Sequence, residues 1–248
     1  MTNAVYRSVE LSDGVYLMSE EIWEKVWTKP LITSDYSLKY LSFMERFEKR
    51  LQDHATVAEI GCGTGQTLSL FSARHTTIAV DISPHALALA QKASEPELIL
   101  GTIFSLPLKD GSCDVVYNSG VIEHFKDPHN TEAVQEMARI TRKGGYVIVI
   151  VPNTFCPWYK LGKLIAVALK NFEFGYEEDY SLSRLRHIVE ACGLSVINTF
   201  GLQALPPLAT NAQELLPIGI RRAIGRIEDV LPYKQYYSYA VGIIAQKS

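Results

Sequence analysis

Short apolar runs alternate with amphipathic stretches through the middle of the chain. From residue 54 the pattern predicts β-strands rich in β-branched residues, at 56–60, 76–80, 97–100, 113–118 and 146–151. Helices of about ten residues are predicted between them, at 64–74, 84–93 and 131–141. Because strands that alternate with such helices form parallel β-α-β crossovers, the pattern predicts an α/β fold with a doubly wound sheet.

Residues 1–53 show a different pattern and are predicted to form a helical cap on the rest of the chain. Four aromatic side chains in this segment follow the spacing i, i+4, i+7 and i+11, namely Tyr36, Tyr40, Phe43 and Phe47. This spacing places the four rings on one face of a helix. We expect that face to pack against the core of the following domain.

The chain from 54 to 248 is predicted to be one domain with inserts at 153–180 and 203–233, which are rich in aromatic or aliphatic side chains. The second insert contains an amphipathic helix. Between and after the inserts, a helix and two strands are predicted at 182–192, 194–201 and 236–245.

Two local signals mark helix ends in this interpretation. Ser83 followed by Pro84 is typical of a helix start, because serine caps the first turn and proline fits its first position. Lys143, Gly144 and Gly145 predict a helix end before the strand at 146–151.

Composition and charge exclude several classes of protein. The charge balance of 24 Lys and Arg against 27 Asp and Glu gives no basic field, which argues against nucleic acid as the main partner. The four cysteines are scattered without metal-ligand spacing, so we expect reduced thiols and no metal site. The longest apolar run, 147–152, is far short of the roughly 20 residues that cross a membrane. With no apolar signal segment at the N-terminus, a soluble cytoplasmic protein is expected.

The most specific motif is a glycine-rich turn between the first strand and the next predicted helix. Gly61, Gly63 and Gly65 follow that strand, and Asp81 ends the second strand twenty residues after the first glycine. Such a turn lets a ligand approach the main chain, and the acid can accept hydrogen bonds from ribose hydroxyls. A dinucleotide fingerprint would require a third glycine at position 66, which is Gln66.

These motifs resemble those of the class I S-adenosylmethionine-dependent methyltransferases of the type 11 kind. The resemblance rests on Glu59-x-Gly61-x-Gly63-x-Gly65, Asp81, the stretch 106–114, and Gly144-Gly145. It covers residues 54–202 approximately. It implies a Rossmann-like, seven-stranded, mostly parallel sheet with helices on both faces and an antiparallel last strand, and S-adenosylmethionine as the cofactor.

The resemblance also implies a role for each matching position. The Gly61–Gly65 loop, including Cys62, would hold the methionine end of the cofactor, with Glu59 orienting the loop. Asp81 would bind the ribose, and Ile82 would pack on the adenine. Thr102 stands where the family often has an acid for the adenine amino group, which implies either a lower affinity for the cofactor or an adenine contact through the backbone of Ile103.

The loop after the fourth strand is expected to line the reacting end of the cofactor. In an open α/β sheet the ligand crevice lies beyond the carboxyl ends of the strands, which places Asn118 and Ser119 there. Glu123-His124 resembles small-molecule methyltransferases, including those that act on quinone rings. His124 is the candidate general base, because imidazole titrates near neutral pH. The alternative role for His124 is a hydrogen bond within the loop.

The acceptor is predicted to bind under a roof formed by the N-terminal segment and the first insert. The aromatic candidates for this pocket are Tyr16, Trp23, Trp27, Trp158, Tyr159 and Tyr176. An apolar or aromatic small molecule fits such a lining. A macromolecular acceptor remains an alternative, although the sequence shows no long positive run. For each ring alone, core packing is the alternative.

Three other interpretations remain open at this stage. The glycine turn is compatible with an NAD-binding oxidoreductase, which Gln66 disfavours, and with a non-catalytic nucleotide-binding or interaction module. The stretches 157–170 and 213–231 combine an apolar face with Lys or Arg. That combination suits an anionic membrane surface, although packed helices have the same composition.

Overall fold

A single seven-stranded sheet organises the part of the chain that the structure describes. The computed structural model describes residues 20–28, 34–169, 176–178, 180–206, 227–228 and 230–248. The strands are β1 Thr56–Ile60, β2 Thr76–Asp81, β3 Glu97–Leu100, β4 Cys113–Ser119, β5 Thr141–Pro152, β6 Leu194–Leu202 and β7 Ala240–Lys247. Their order across the sheet is β3-β2-β1-β4-β5-β7-β6.

The first five strands run parallel, and β7 runs antiparallel between β5 and β6. This arrangement confirms the predicted fold class. Because β7 is reversed, its first residue lies beside Pro152 at the end of β5. The start of β7 therefore reaches the same edge of the sheet as the carboxyl ends of the parallel strands.

Six α-helices surround the sheet within the described residues: α1 Glu20–Trp27, α2 Asp35–Glu48, α3 Pro84–Ser94, α4 His129–Ile140, α5 Pro157–Ala168 and α6 Leu182–Ala191. Short 3-10 helices lie at Leu68–Leu70, Ile122–His124 and Lys234–Tyr236. The predicted cap of α3 is confirmed, because the Ser83 side chain accepts a hydrogen bond from the Ala86 N–H and Pro84 opens the helix.

The core has two halves, one on each face of the sheet. Alternate residues of β4 point to opposite faces, so Val115 joins the α2 and α3 side while Val116 joins the α4 and α6 side. The aromatic face of α2 packs as predicted: Tyr40 is buried, and the Phe43 ring stacks on Phe200 of β6 at 3.9 Å. Helices on both faces thus hold the strand ends in place.

The prediction of an α-helix at 64–74 is wrong. The segment consists of turns and the 3-10 helix Leu68–Leu70, with three-residue hydrogen bonds such as Phe71 N–H to the Leu68 carbonyl. Leu68 and Phe71, both fully buried, are three residues apart. That spacing fits a 3-10 turn as well as an α-helix, so the apolar pattern could not separate the two.

The end of α4 also differs from the prediction. The helix stops at Ile140, and residues 141–152 are extended, so Lys143-Gly144-Gly145 lies within β5. The register against β4 shifts between Cys113 and Val115, which leaves residues 142–145 as a bulge with Gly144 at φ +72°. Gly144 and Gly145 therefore belong to the bulge in β5 and do not cap the end of α4.

Other predictions have mixed outcomes. The four cysteines are free thiols, as predicted. The last strand begins at Ala240 and not at residue 236, because the chain first forms the 3-10 helix Lys234–Tyr236. Most of the amphipathic helix predicted within 203–233 lies outside the described residues. In the described part of the chain, no helix has both the length and the apolar character needed to cross a membrane.

Candidate functional site

The glycine turn after β1 is attached to the end of β2. The N–H groups of Gly61 and Cys62 both donate to the Val80 carbonyl, at 2.8 and 3.0 Å. The Cys62 side chain is buried in the α2 side of the core. The ends of β1 and β2 therefore move as one unit.

Close packing explains all three glycines in this turn. A Cβ on Gly65 would lie 2.8 Å from the backbone of Ala90 in α3, and one on Gly61 would lie 2.5 Å from Val121 Cγ2. At Gly63 a Cβ would meet the Trp27 ring, 2.5 Å from Cη2. Gly63 is buried and faces α1, so the Trp27 ring covers this side of the turn.

Asp81 joins the glycine turn to the start of α3. Its side chain is buried; Oδ2 accepts from the Gly63 N–H and Oδ1 from the Ser83 N–H, both at 2.9 Å. Burial raises the pKa of Asp81 to about 6, although these two donors oppose the shift. A carboxylate has about four lone-pair positions, so further donors can still bind Asp81.

Glu59 lies in β1, just before the turn, and its side chain is hydrogen-bonded to the segment after the turn. Its carboxyl is buried, and Oε1 accepts from the Thr67 hydroxyl at 2.5 Å. Burial raises the pKa of Glu59 to about 8. The predicted role in orienting the loop thus takes a specific form, a hydrogen bond two residues beyond Gly65.

Helix α1 lies across this edge of the sheet. Glu24 Oε1 accepts from the Ser83 hydroxyl at 2.7 Å and from the His85 N–H at 3.2 Å. Trp27 stacks on Trp23 with the ring centroids 6.3 Å apart. Trp27, which was predicted for the acceptor pocket, therefore contacts the glycine turn.

The residues predicted around the adenine lie at the end of β3 and after β2. The Thr102 hydroxyl accepts from the Phe104 N–H at 3.4 Å, within its own turn. Ile103 is buried in the core, and Ile82 is half-buried beside Asp81. The Gly101 N–H donates to the Asp81 carbonyl at 3.0 Å, which brings this turn next to Asp81.

The two residues at the end of β4 point in different directions. Asn118 is fully buried, and its Nδ2 donates to Met137 Sδ of α4 at 3.2 Å. Ser119 is half-buried, and its hydroxyl is 2.6 Å from the Tyr36 hydroxyl. The side chain of Ser119 thus lies on the α2 side of the edge, and that of Asn118 lies against α4.

His124 occupies the loop after β4 in a defined protonation state. Its Nδ1 lies 2.8 Å from the Tyr176 carbonyl. Because a carbonyl only accepts, Nδ1 carries the hydrogen and Nε2 keeps its lone pair. Burial lowers the pKa of His124 and favours the neutral form. The Trp23 ring contacts this imidazole edge-on at 5.0 Å.

Four rings form an aromatic cluster beside the end of β5, and Tyr239 is at its centre. Its ring stacks on Trp158 at 5.6 Å and meets Tyr159 and Tyr36 edge-on at 4.8 and 5.1 Å. Trp158 and Tyr159 were predicted for the acceptor pocket. Of the other candidates, Tyr176 binds His124 through its carbonyl, and Tyr16 lies outside the described residues.

The sequence analysis missed Tyr36 and Tyr239 as site residues. Tyr239 directly precedes β7, and it reaches the site because that strand is antiparallel. The expected reversal of the last strand was a signal that could have found it. Tyr36 was placed on the inner face of α2, and its position in the first turn of that helix was the available clue.

Part of this chain is similar to known methyltransferases. Residues 58–149 match the family described as a methyltransferase domain. A probable S-adenosylmethionine-dependent methyltransferase of Mycobacterium tuberculosis is 38% identical over 105 residues, 41% of this chain and 38% of that protein. A mouse tRNA (carboxymethyluridine(34)-5-O)-methyltransferase is 32% identical over 106 residues, 42% of this chain and 16% of that protein. The match therefore spans well under two thirds of either relative.

Solved structures share the fold. A Thermotoga maritima methyltransferase described as a possible histamine N-methyltransferase has a TM-score of 0.63 and 22% identity, covering 86% of this chain and 92% of that one. A Streptomyces coelicolor geranyl diphosphate C-methyltransferase, solved with Mg²⁺, geranyl diphosphate and S-adenosyl-L-homocysteine, has a TM-score of 0.58 and 15% identity, covering 84% and 78%. At these identities the likeness is one of fold.

Proposed function

This chain contains a class I S-adenosylmethionine-dependent methyltransferase domain, and from that premise we propose that it methylates a small organic molecule bound at the aromatic cluster. The observation that carries the proposal is the junction of Asp81 with the glycine turn. A buried carboxylate at the end of β2 there holds the Gly63 N–H, at the edge where α/β sheets bind nucleotides.

The residues at this junction fit the cofactor. Gly63 lacks a Cβ and is covered by the Trp27 ring, so a methionine end that displaced this ring could reach the backbone of the turn. Asp81 has acceptor positions left for the ribose hydroxyls. Ile82 and the turn at Thr102 and Ile103 would flank the adenine. When bound, S-adenosylmethionine supplies an electrophilic methyl group, whose carbon–sulfur bond breaks with its electron pair going to sulfur.

The protein's own contribution is to position the acceptor and exclude water. Tyr36 connects the two halves of the site, because its hydroxyl is bonded to Ser119 and its ring packs on Tyr239. His124 Nε2 has a free lone pair in the neutral imidazole and would accept a proton from an acidic acceptor. An apolar or aromatic body fits the rings of the aromatic cluster.

The test is incubation with S-adenosylmethionine carrying a labelled methyl group. One sample receives the small-molecule fraction of a cell extract and a parallel sample receives total tRNA, because relatives are named as tRNA methyltransferases. We expect label in small molecules and none in tRNA. Label only in tRNA would replace the proposed acceptor class, and failure of the chain to bind S-adenosyl-L-homocysteine in calorimetry would refute the proposal.

A further inference from the structure

Glu123 is a buried acid in the loop after β4. Its side chain is 1% exposed, and Oε2 has no hydrogen-bond partner. A Cβ on Gly120 would lie 3.6 Å from Oε1, so the carboxyl folds back over the start of its own loop. The neighbouring chain is fixed by the Glu178 N–H, which donates to the Glu123 carbonyl at 2.7 Å. The backbone carbonyl therefore has a partner, whereas Oε2 of the carboxyl group has none.

Two sets of contacts place Glu123 beside the aromatic cluster. Its Oε1 lies close to Gly120, and the preceding residue, Ser119, is hydrogen-bonded to the Tyr36 hydroxyl. The Glu123 carbonyl binds the N–H of Glu178, and the adjacent Glu177 accepts from the Tyr159 hydroxyl. When ionised, Glu123 adds to the raised pKa values of Tyr36, Tyr159 and Tyr239, after the larger effects of burial and, for the last two, of Glu177.

A second acid near the cluster, Glu177, is compensated. The Tyr159 hydroxyl donates to Glu177 Oε2 at 2.7 Å, and Lys163 Nζ lies 2.9 Å from the same oxygen. Glu123 has no cation within salt-bridge distance among the described residues. An uncompensated buried carboxyl is costly to a folded protein, and at a functional site it is an expected binding partner for a ligand.

The rings around Glu123 are of a kind that binds cations. Within the aromatic cluster, Lys163 Nζ lies 5.9 Å from the centre of the Tyr159 ring. Aromatic faces attract ammonium groups through their negative electrostatic potential. The aromatic cluster together with the Glu123 carboxyl therefore favours a cationic ligand over a neutral one.

We propose that the methyl acceptor is an amine, and that Glu123 binds its ammonium group and takes its proton. The inference rests on the proposed methyltransferase function. In the step assigned to Glu123, the ammonium N–H bond breaks, the proton moves to a carboxylate oxygen, and the nitrogen keeps the electron pair with which it attacks the methyl carbon. The neutral His124 carries no charge that could hold an ammonium group.

The charges around Glu123 are consistent with this step. Burial and then the charge of Glu177 raise the pKa of Glu123 to about 8, while Lys163 lowers it. The other titratable groups facing this region are His124 and the hydroxyls of Tyr36, Tyr159, Tyr180 and Tyr239. An ammonium ion at Oε2 favours the ionised carboxylate, and the raised proton affinity then favours transfer from nitrogen.

The first experiment identifies the methylated atom. The chain is incubated with S-adenosylmethionine carrying a carbon-13 methyl group and the small-molecule fraction of a cell extract, and carbon NMR of the product distinguishes nitrogen, oxygen, carbon and sulfur methyls. A methyl on nitrogen is expected. A methyl on any other atom would overturn the amine proposal and leave the proposed function intact, whereas absence of any methylated product would contradict the proposed function itself.

The second experiment measures binding without turnover. The chain saturated with S-adenosyl-L-homocysteine is titrated calorimetrically with 2-phenylethylamine and with 2-phenylethanol, which differ in charge but hardly in size. We expect the amine to bind at least about tenfold tighter, and Glu123→Gln to abolish this preference without changing affinity for S-adenosyl-L-homocysteine. Glu190→Gln removes an exposed acid on α6 and should keep the preference. Equal binding of the two probes, no binding of the amine, or an unchanged preference in Glu123→Gln would refute the assignment.

Discussion

At the scale of single residues, three buried carboxyl groups have raised pKa values. Burial raises the pKa of Asp81 to about 6 and those of Glu59 and Glu123 to about 8. Asp81 differs because two backbone N–H groups stabilise its charge. Near pH 7 Asp81 is therefore ionised, and the two glutamates hold their protons until a ligand or higher pH removes them.

Removing the Asp81 carboxylate should weaken cofactor binding. We expect Asp81→Ala to cost about 1–3 kcal/mol in the binding of S-adenosyl-L-homocysteine, because charge-assisted hydrogen bonds are lost. Calorimetric titration measures the effect. Asp114→Ala is the matched control: Asp114 also binds a backbone N–H, that of Thr56, but at the opposite edge of the sheet. An Asp81→Ala affinity equal to that of Asp114→Ala would contradict the assignment.

Glu59 should make stability depend on pH. Its pKa rises from 4.5 to about 8 on folding, so over that interval the folded state holds a proton that the unfolded chain releases. The free energy of unfolding therefore falls as pH rises from 4.5 to about 8. We expect the Tm of Glu59→Gln to fall less over this interval than that of the wild type. Glu45→Gln, on the exposed face of α2, should follow the wild type, and parallel Tm curves for all three proteins would disprove the effect.

At the scale of elements, helix α1 and the glycine turn share one surface. Trp27 contacts Gly63, and Glu24 binds the start of α3 through Ser83 and His85. The proposed cofactor site therefore combines the sheet edge with a helix of the N-terminal segment. A ligand that binds the glycine turn should therefore alter the surroundings of α1.

Tryptophan fluorescence should report cofactor binding through this contact. We expect the emission of the wild type to change when S-adenosyl-L-homocysteine is added, because the Trp27 ring lies against the turn. Trp27→Phe should lose most of the change. Trp158→Phe, in the aromatic cluster, should retain it. If Trp27→Phe responds like the wild type, the ring does not contact the bound cofactor.

Because the turn packs on α3, substitution of Gly65 by alanine should destabilise the protein more than the same substitution at a glycine in open space. Gly65 and Gly193 have similar φ values, +67° and +74°, but only Gly65 has a backbone within 3 Å of a new Cβ. Gly193→Ala should cost about 1–2 kcal/mol from backbone strain. Gly65→Ala should cost about 1–3 kcal/mol more from overpacking. Urea unfolding of both variants measures the difference, and equal losses would rule out the packing effect.

For the whole molecule, regular periodicity made the sheet predictable. Strands β4 and β5 contain the apolar stretches 115–117 and 146–152, and Ser83 with Pro84 marked α3 correctly. Segment 64–74 failed because an i, i+3 apolar spacing serves two helix types. A pattern of apolar positions predicts the secondary structure reliably only where a single conformation is compatible with that pattern.

The candidate site was harder to predict, because its parts come from distant segments. The glycine turn and Asp81 follow a local motif, so their neighbourhood could be predicted from the sequence. Tyr36, Glu177 and Tyr239 meet near Glu123 only after the sheet is assembled. No spacing along the chain specifies this arrangement, so Tyr36 and Tyr239 were not predicted, although Trp158 and Tyr159 were predicted for the acceptor pocket.

The position of β7 between β5 and β6 has a consequence for synthesis. A chain emerging from the ribosome exposes β5 and β6 before the strand that joins them, so the hydrogen-bonding edge of β5 stays unpaired in the nascent protein. The same late segment delivers Tyr239. The acceptor side is therefore completed last, and premature translational stops before residue 240 should yield insoluble, chaperone-dependent products.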